Sequence, residues 1–178
     1  VVRVVTDQVN GQPAQQTLAK NLSVTRLAEY RLGFDAADKI LWEEMQFGLC
    51  RELASVIDEF KPDILLSNSL DLCALAKLAS LHIAKPWVAT FHEQAPEREP
   101  FGEERLRLAY GLLNPDAIIA GSHFYLSRAR KYASASKCHL IYHGVDTSQF
   151  DFRDTSWEVR SHYEIPSKNA LVVSAGRF

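Results

Sequence analysis

Four segments of the chain place polar or titratable residues directly behind a run of aliphatic and β-branched ones. Asn68-Ser69 follow Ile64–Ser67, His92-Glu93 follow Trp87–Phe91, Ser122-His123 follow Ala117–Gly121, and Gly176-Arg177 follow Leu171–Ala175. An imidazole can orient a ligand or carry a proton, and a guanidinium can grip a phosphate through two parallel hydrogen bonds. Hydroxyl and amide groups bind alcohols and sugars, yet Ser and Asn behind a strand equally cap the next helix. Both roles stay open for Asn68, Ser69 and Ser122. His92 is either a ligand-facing imidazole or a surface one, and Arg177 either holds phosphate or is a solvated strand-end residue. His139 and His143 are four apart but fall on a strand and a turn, so they share no helical face for a metal. His82 and His162 read as helix residues.

Several other chemistries find no support. The chain holds no GxGxxG, GxxxxGK[ST], GxSxG or HExxH pattern, which removes the simple dinucleotide, P-loop, hydrolase and zinc-protease readings. Cys50, Cys73 and Cys138 are odd in number and widely spaced. They indicate neither a disulfide framework nor a zinc site, but reduced thiols of a cytoplasmic protein. Lys and Arg number 20 against 22 Asp and Glu, a net charge of −2; a duplex-binding domain carries a basic excess, so nucleic acid is not expected. At 178 residues, 47% hydrophobic and 24% charged, the chain is that of an ordinary globular protein. No apolar run reaches the roughly 20 residues of a membrane span.

The elements that must position these residues alternate. Strands are expected at Val1–Thr6, Leu22–Leu27, Ile64–Ser67, Trp87–Phe91, Ala117–Ala120, His139–Tyr142 and Leu171–Ser174. Several lack polar alternation, as strands buried on both faces do. Helices are expected at Asp38–Phe60, where Leu41, Met45, Leu49, Leu53, Val56, Ile57 and Phe60 line one face, and at Leu70–His82, Glu103–Leu113, Phe124–Ala133 and Thr155–Tyr163. Asn10–Lys20 reads as a turn-rich loop, and Glu93–Arg107 as a solvated loop or a lid. This rhythm predicts an α/β fold: a Rossmann-like, doubly wound parallel sheet over residues 1–146, with Leu171–Ser174 outside it. Ligands of such sheets bind past the carboxyl ends of the strands, where the four polar segments fall. Arg128, Arg130, Lys131 and Lys137 form a basic run, read first as a solvated face and alternatively as a contact for an anionic membrane.

An ordered series of motifs narrows the reading. Lys61-Pro62-Asp63 enters one strand and Lys85-Pro86-Trp87 the next, which ends in His92. Asn114-Pro115-Asp116 then leads to Ser122, His143-Gly144-Val145-Asp146 follows with Phe150 behind it, and Gly176-Arg177 closes the series. In order and spacing this resembles the N-terminal half of GT-B glycosyltransferases of family 4, across roughly Val1 to Phe178. The resemblance implies a fragment cut at both ends: a first domain over 1–146 that lacks its first βα unit, and a linker with the start of a second Rossmann-like domain over 147–178. It implies a retaining, hexosyltransferase-type enzyme that moves a sugar from a nucleotide-sugar to an acceptor hydroxyl, with the piece inactive alone. His92 is then catalytic, Arg177 and Gly176 hold the donor, and Asn68, Ser69, Glu93, Ser122 and His123 face the acceptor. No metal or other cofactor is expected. His143 departs from the family's "NGVD" turn, in which Asn stands at that position. A non-catalytic carbohydrate- or partner-binding domain of the same fold is the alternative.

Overall fold

The computed structural model describes residues 1–28, 47–91, 101–148 and 156–172. Two sheets organise them. In the first, β1 (Val2–Asp7) runs parallel to β3 (Leu22–Leu27), with Val2 opposite Leu22 and Asp7 opposite Leu27. The segment expected as a loop holds a further strand, β2 (Gln15–Ala19), antiparallel to β3. Its side chains are mostly exposed, so hydrophobic alternation does not mark it; the Arg26 guanidinium holds it by donating to the Pro13 carbonyl (2.8 Å) and Gln16 Oε1 (3.1 Å).

Helix α1 (Phe47–Phe60) buries Leu49 and Ile57, as the spacing of its apolar residues predicts. It ends where Lys61 turns to φ 52°, the left-handed exit that leaves Pro62 free to start the next segment. Arg3 of β1 ties helix to sheet: its guanidinium lies 4.8 Å from the Phe60 ring centre and donates to Glu59 Oε1 at 2.8 Å. Residues 38–46 of the expected helix lie outside the described residues.

The second sheet is wholly parallel, in the order β4 (Leu65–Ser67), β5 (Trp87–Phe91), β6 (Ala117–Ala120), β7 (Cys138–Leu140). The single sheet expected over 1–146 is therefore two among the described residues, since β1 pairs with β3 and β4 with β5. Each crossover in the parallel sheet returns through a helix. A 3₁₀ turn (Leu70–Leu72) and α2 (Cys73–Ile83) link β4 to β5, α3 (Gly102–Leu106) with a π-helical segment (Arg107–Leu112) precedes β6, and α4 (His123–Ala129) links β6 to β7. Trp87, Phe91, Ile118, Leu70, Leu106 and Tyr110 are fully buried between these layers, each aliphatic or aromatic side chain contributing about 1.5–3 kcal/mol. Phe91 meets Tyr110 and Tyr125 edge-on, with ring centres 5.2 and 5.7 Å apart.

Asp116 replaces a ladder partner at the start of the sheet. Its carboxylate accepts from Trp87 N (2.9 Å) while its own N–H donates to the Trp87 carbonyl (2.9 Å). The Pro-Asp entry of β6 thus pins it to β5. Lys137, counted with the basic run, is a tie within the fold instead: its Nζ donates to Asn114 Oδ1 (2.6 Å) and the Pro115 carbonyl (3.0 Å).

The chain divides into two compact units, Val1–His143 and Gly144–Phe178. In the second, Asp146 Oδ1 accepts from the Ser148 N–H and hydroxyl (3.0 and 2.6 Å). Arg160 of α5 (Ser156–His162) donates to the carbonyls of Pro166 and Asn169. Of the strand expected over 171–174, residues 171 and 172 are described and neither is in a strand.

Candidate functional site

Because β4 to β7 are parallel, their carboxyl ends share one edge, and the residues that follow them are brought together. Ser67 closes β4 as a buried hydroxyl that accepts from Trp87 Nε1 at 2.9 Å. That bond joins the end of β4 to the start of β5 and sets the position from which Asn68 and Ser69 emerge. Thr90 of β5 donates to the Ser67 carbonyl (3.2 Å) and approaches Asn68 Oδ1 (3.3 Å). The Tyr110 hydroxyl donates to the Thr90 carbonyl (3.2 Å), so the π-helical segment braces the same strand end. Ser69 precedes the 3₁₀ turn, and its side chain makes no capping bond there.

Ser122 resolves toward capping. Its Oγ accepts from the Tyr125 N–H at 3.3 Å, the N-cap bond of α4, a role Ser fills by offering an acceptor to an orphan donor. His123 beside it is exposed, and its ring meets Tyr142 edge-on with centres 6.3 Å apart. His92 and Glu93, and Gly176 and Arg177, lie outside the described residues.

The structure adds residues that sequence reasoning did not place here. The Ile141 N–H donates to the Ala120 carbonyl (3.0 Å), which continues the β6–β7 pairing and carries Tyr142 and His143 to the same edge. A Cβ on Gly121 would lie 2.6 Å from His143 Nε2 and 2.9 Å from its Cδ2. The imidazole therefore rests on the bare backbone of Gly121, at the position where the related motif has Asn. Thr90 and Tyr142 carry no sequence signal beyond their place at a strand end.

Among the described residues, the strand ends present hydroxyl, amide, phenol and imidazole groups. Nearby, Arg105 of α3 pairs with Asp71 of the 3₁₀ turn. Away from the edge, a surface cavity of about 490 Å³ is lined by Glu103, Arg107, Lys131 and Tyr132, where Arg107 pairs with Glu103 at 3.1 Å. Among the described residues no group of three His, Cys, Asp or Glu side chains is placed to hold a metal ion, and no helix is long and apolar enough to cross a membrane. Burial pushes the Cys138 thiol above its ordinary pKa, partly offset by the nearby Arg130 charge.

The family model "Glycosyltransferase Family 4" matches residues 2–149. Anabaena HepE in complex with UDP-glucose shares 21% identity and a TM-score of 0.55, covering 66% of this chain and 32% of its own. Sucrose-phosphate synthase from Thermosynechococcus elongatus shares 16% identity and a TM-score of 0.64, covering 91% of this chain and 83% of the solved one. The chain thus spans about a third of the HepE chain. At these identities the likeness is one of fold, a Rossmann-like α/β arrangement. No curated protein matches the chain in sequence.

Proposed function

Because the chain belongs to glycosyltransferase family 4, we propose that it is the acceptor-side part of a retaining enzyme that transfers a hexose from a nucleotide-sugar to an acceptor hydroxyl. The carrying observation is the family match over residues 2–149, joined to a parallel sheet whose carboxyl edge presents uncharged hydrogen-bonding groups. A nucleotide-sugar donor is supported by the UDP-glucose complex of HepE. In this reading the bond from the anomeric carbon to the diphosphate oxygen breaks as the acceptor oxygen bonds to that carbon on the same face. The acceptor's proton ends on the departing diphosphate.

His92 orients the donor sugar beside the charge that develops at the anomeric carbon. Arg177, next to Gly176, grips the leaving diphosphate through its planar fork. That neutralisation makes a metal ion or other cofactor unnecessary. Asn68, Ser69, Glu93 and His123 line the acceptor side, while Ser122 serves the helix. Residues 1–146 form the acceptor-side domain and 147–178 the linker and start of the donor domain; the piece alone is inactive. The protein works in the cytoplasm. Phe124 is exposed with the Arg128 guanidinium 4.9 Å from its ring centre, and Arg130 and Lys131 are exposed beyond it. This face supports peripheral contact with an anionic membrane, where each basic residue adds about 1 kcal/mol.

The test is transfer by the full-length protein from UDP-, GDP- and ADP-linked hexoses, with His92→Ala beside wild type. Transfer should fall by roughly 10²-fold, the loss of one positioned transition-state contact, while nucleoside diphosphate binding stays within about twofold. No transfer by wild type from any of these donors, or unchanged kcat in the variant, refutes the reading.

A further inference from the structure

We propose that the imidazole of His143, seated on Gly121 at the carboxyl end of β6, binds a hydroxyl of a hexose that the enzyme handles. The inference rests on the glycosyltransfer reading above. Three observations carry it. First, the seat is specific: the space a Gly121 side chain would need is filled by the His143 ring, with Nε2 2.6 Å from the would-be Cβ. Only glycine at 121 leaves the ring where it is. Second, the ring is chemically available. It is exposed, and no hydrogen bond engages either ring nitrogen among the described residues. A neutral imidazole in this state offers one donor and one acceptor, the pair that a sugar hydroxyl satisfies. Third, its neighbours share that chemistry. Tyr142 and His123 are in edge contact beside it, Thr90 lies near the carboxyl end of the neighbouring β5, and Ser69 follows β4 on the same edge of the sheet. These are hydroxyl, phenol and imidazole groups, suited to hydroxyls rather than to the phosphates for which Arg and Lys are used.

The consequence concerns position as much as identity. Gly121→Ala leaves the imidazole in the molecule but drives it from its seat, because an exposed side chain can swing aside. His143→Ala removes the ring and leaves the seat empty. If the seated ring is what binds, the two changes cost the same contact, and together they cost no more than either alone.

The experiment uses the full-length protein, offering UDP-, GDP- and ADP-linked glucose and mannose with methyl glycosides of glucose, galactose and mannose as acceptors. Transfer to the glycoside and hydrolysis of the donor are measured side by side, with melting temperature as a check on folding. Each single variant should lose roughly tenfold in transfer, the worth of one hydrogen bond, and the double variant should lie within about twofold of the singles. Loss of transfer with hydrolysis unchanged places the hydroxyl on the acceptor; loss of both places it on the donor sugar. Should His143→Ala melt early, His143→Phe decides, since it fills the seat without a ring nitrogen: transfer stays low if the nitrogen binds and returns if the ring only packs. Wild-type transfer in His143→Ala, or additive losses in the double variant, overturns the inference alone. Failure of wild type to use any donor overturns the glycosyltransfer reading, and the inference with it.

Discussion

Ser67→Ala tests how the strand-end edge is held together. The Ser67 side chain is 2% exposed, and its Oγ accepts from the Trp87 indole N–H at 2.9 Å and lies 3.8 Å from Cys73 Sγ. Trp87 itself is 1% exposed, so water cannot replace the lost acceptor. Removing the hydroxyl leaves a buried donor unsatisfied, which costs about 1–3 kcal/mol; the lost methyl-sized volume adds little. For a protein of this size each kcal/mol lowers Tm by about 2–4 °C, so the melt should shift by roughly 2–12 °C. Trp87→Phe also removes the donor, together with part of the ring's packing. In the double variant Ser67→Ala, Trp87→Phe the orphaned donor is absent. The double variant should therefore be more stable than the sum of the two singles predicts, by about 1 kcal/mol or more. The assay is urea unfolding followed by circular dichroism for wild type, both singles and the double. A Ser67→Ala cost below about 0.5 kcal/mol, or strict additivity in the cycle, would refute the reasoning, because a buried and dry indole donor cannot lose its partner without consequence.

Two further outcomes follow from other contacts. Asp116→Ala should destabilise the protein by about 1 kcal/mol, since the Trp87 N–H loses the carboxylate that meets it at the start of β5, whereas Asp116→Asn keeps an acceptor and should recover most of the loss; urea midpoints of the three proteins check this. Burial raises the Cys138 thiol above its ordinary value, so the folded state holds its proton more tightly than the unfolded state, and stability should be complete below the ordinary thiol pKa and fall as pH rises through and above it. Cys138→Ser should lose that part of the decline at alkaline pH, and an unchanged slope there in urea midpoints measured against pH would contradict it.

Much of the architecture was legible along the chain, and for identifiable reasons. Trp87–Phe91 and Ala117–Ala120 match their expected bounds to the residue, because Pro86 and Asn114-Pro115-Asp116 punctuate them and both faces are apolar. The apolar face of α1, the capping alternative for Ser122 and the common edge of Ser69 and Ser122 are equally local in origin. They depend on periodicity, on a side-chain acceptor three residues from its donor, and on the fact that all parallel strands end together.

What the chain order could not state is where distant segments meet. β2 is an exposed edge strand whose pairing is supplied by β3, so its own residues read as a loop. The π-helical turn at Arg107–Leu112 differs from an α-helix by less than one residue in period, which six residues cannot reveal. Lys137 looked like one charge in a solvated run until the carbonyl of Pro115 and the amide of Asn114 proved to stand beside it. His143 is the sharpest case. Its spacing to His139 suggested nothing, and its departure from the family turn suggested only a linker. The chain's sequence by itself determined the strands of the parallel sheet, their buried faces and the edge on which polar residues collect, since each follows from neighbours within a few positions. Only the tertiary structure set the His143 imidazole on Gly121, because that contact joins the ends of two strands far apart in the chain and depends on a side chain that glycine lacks.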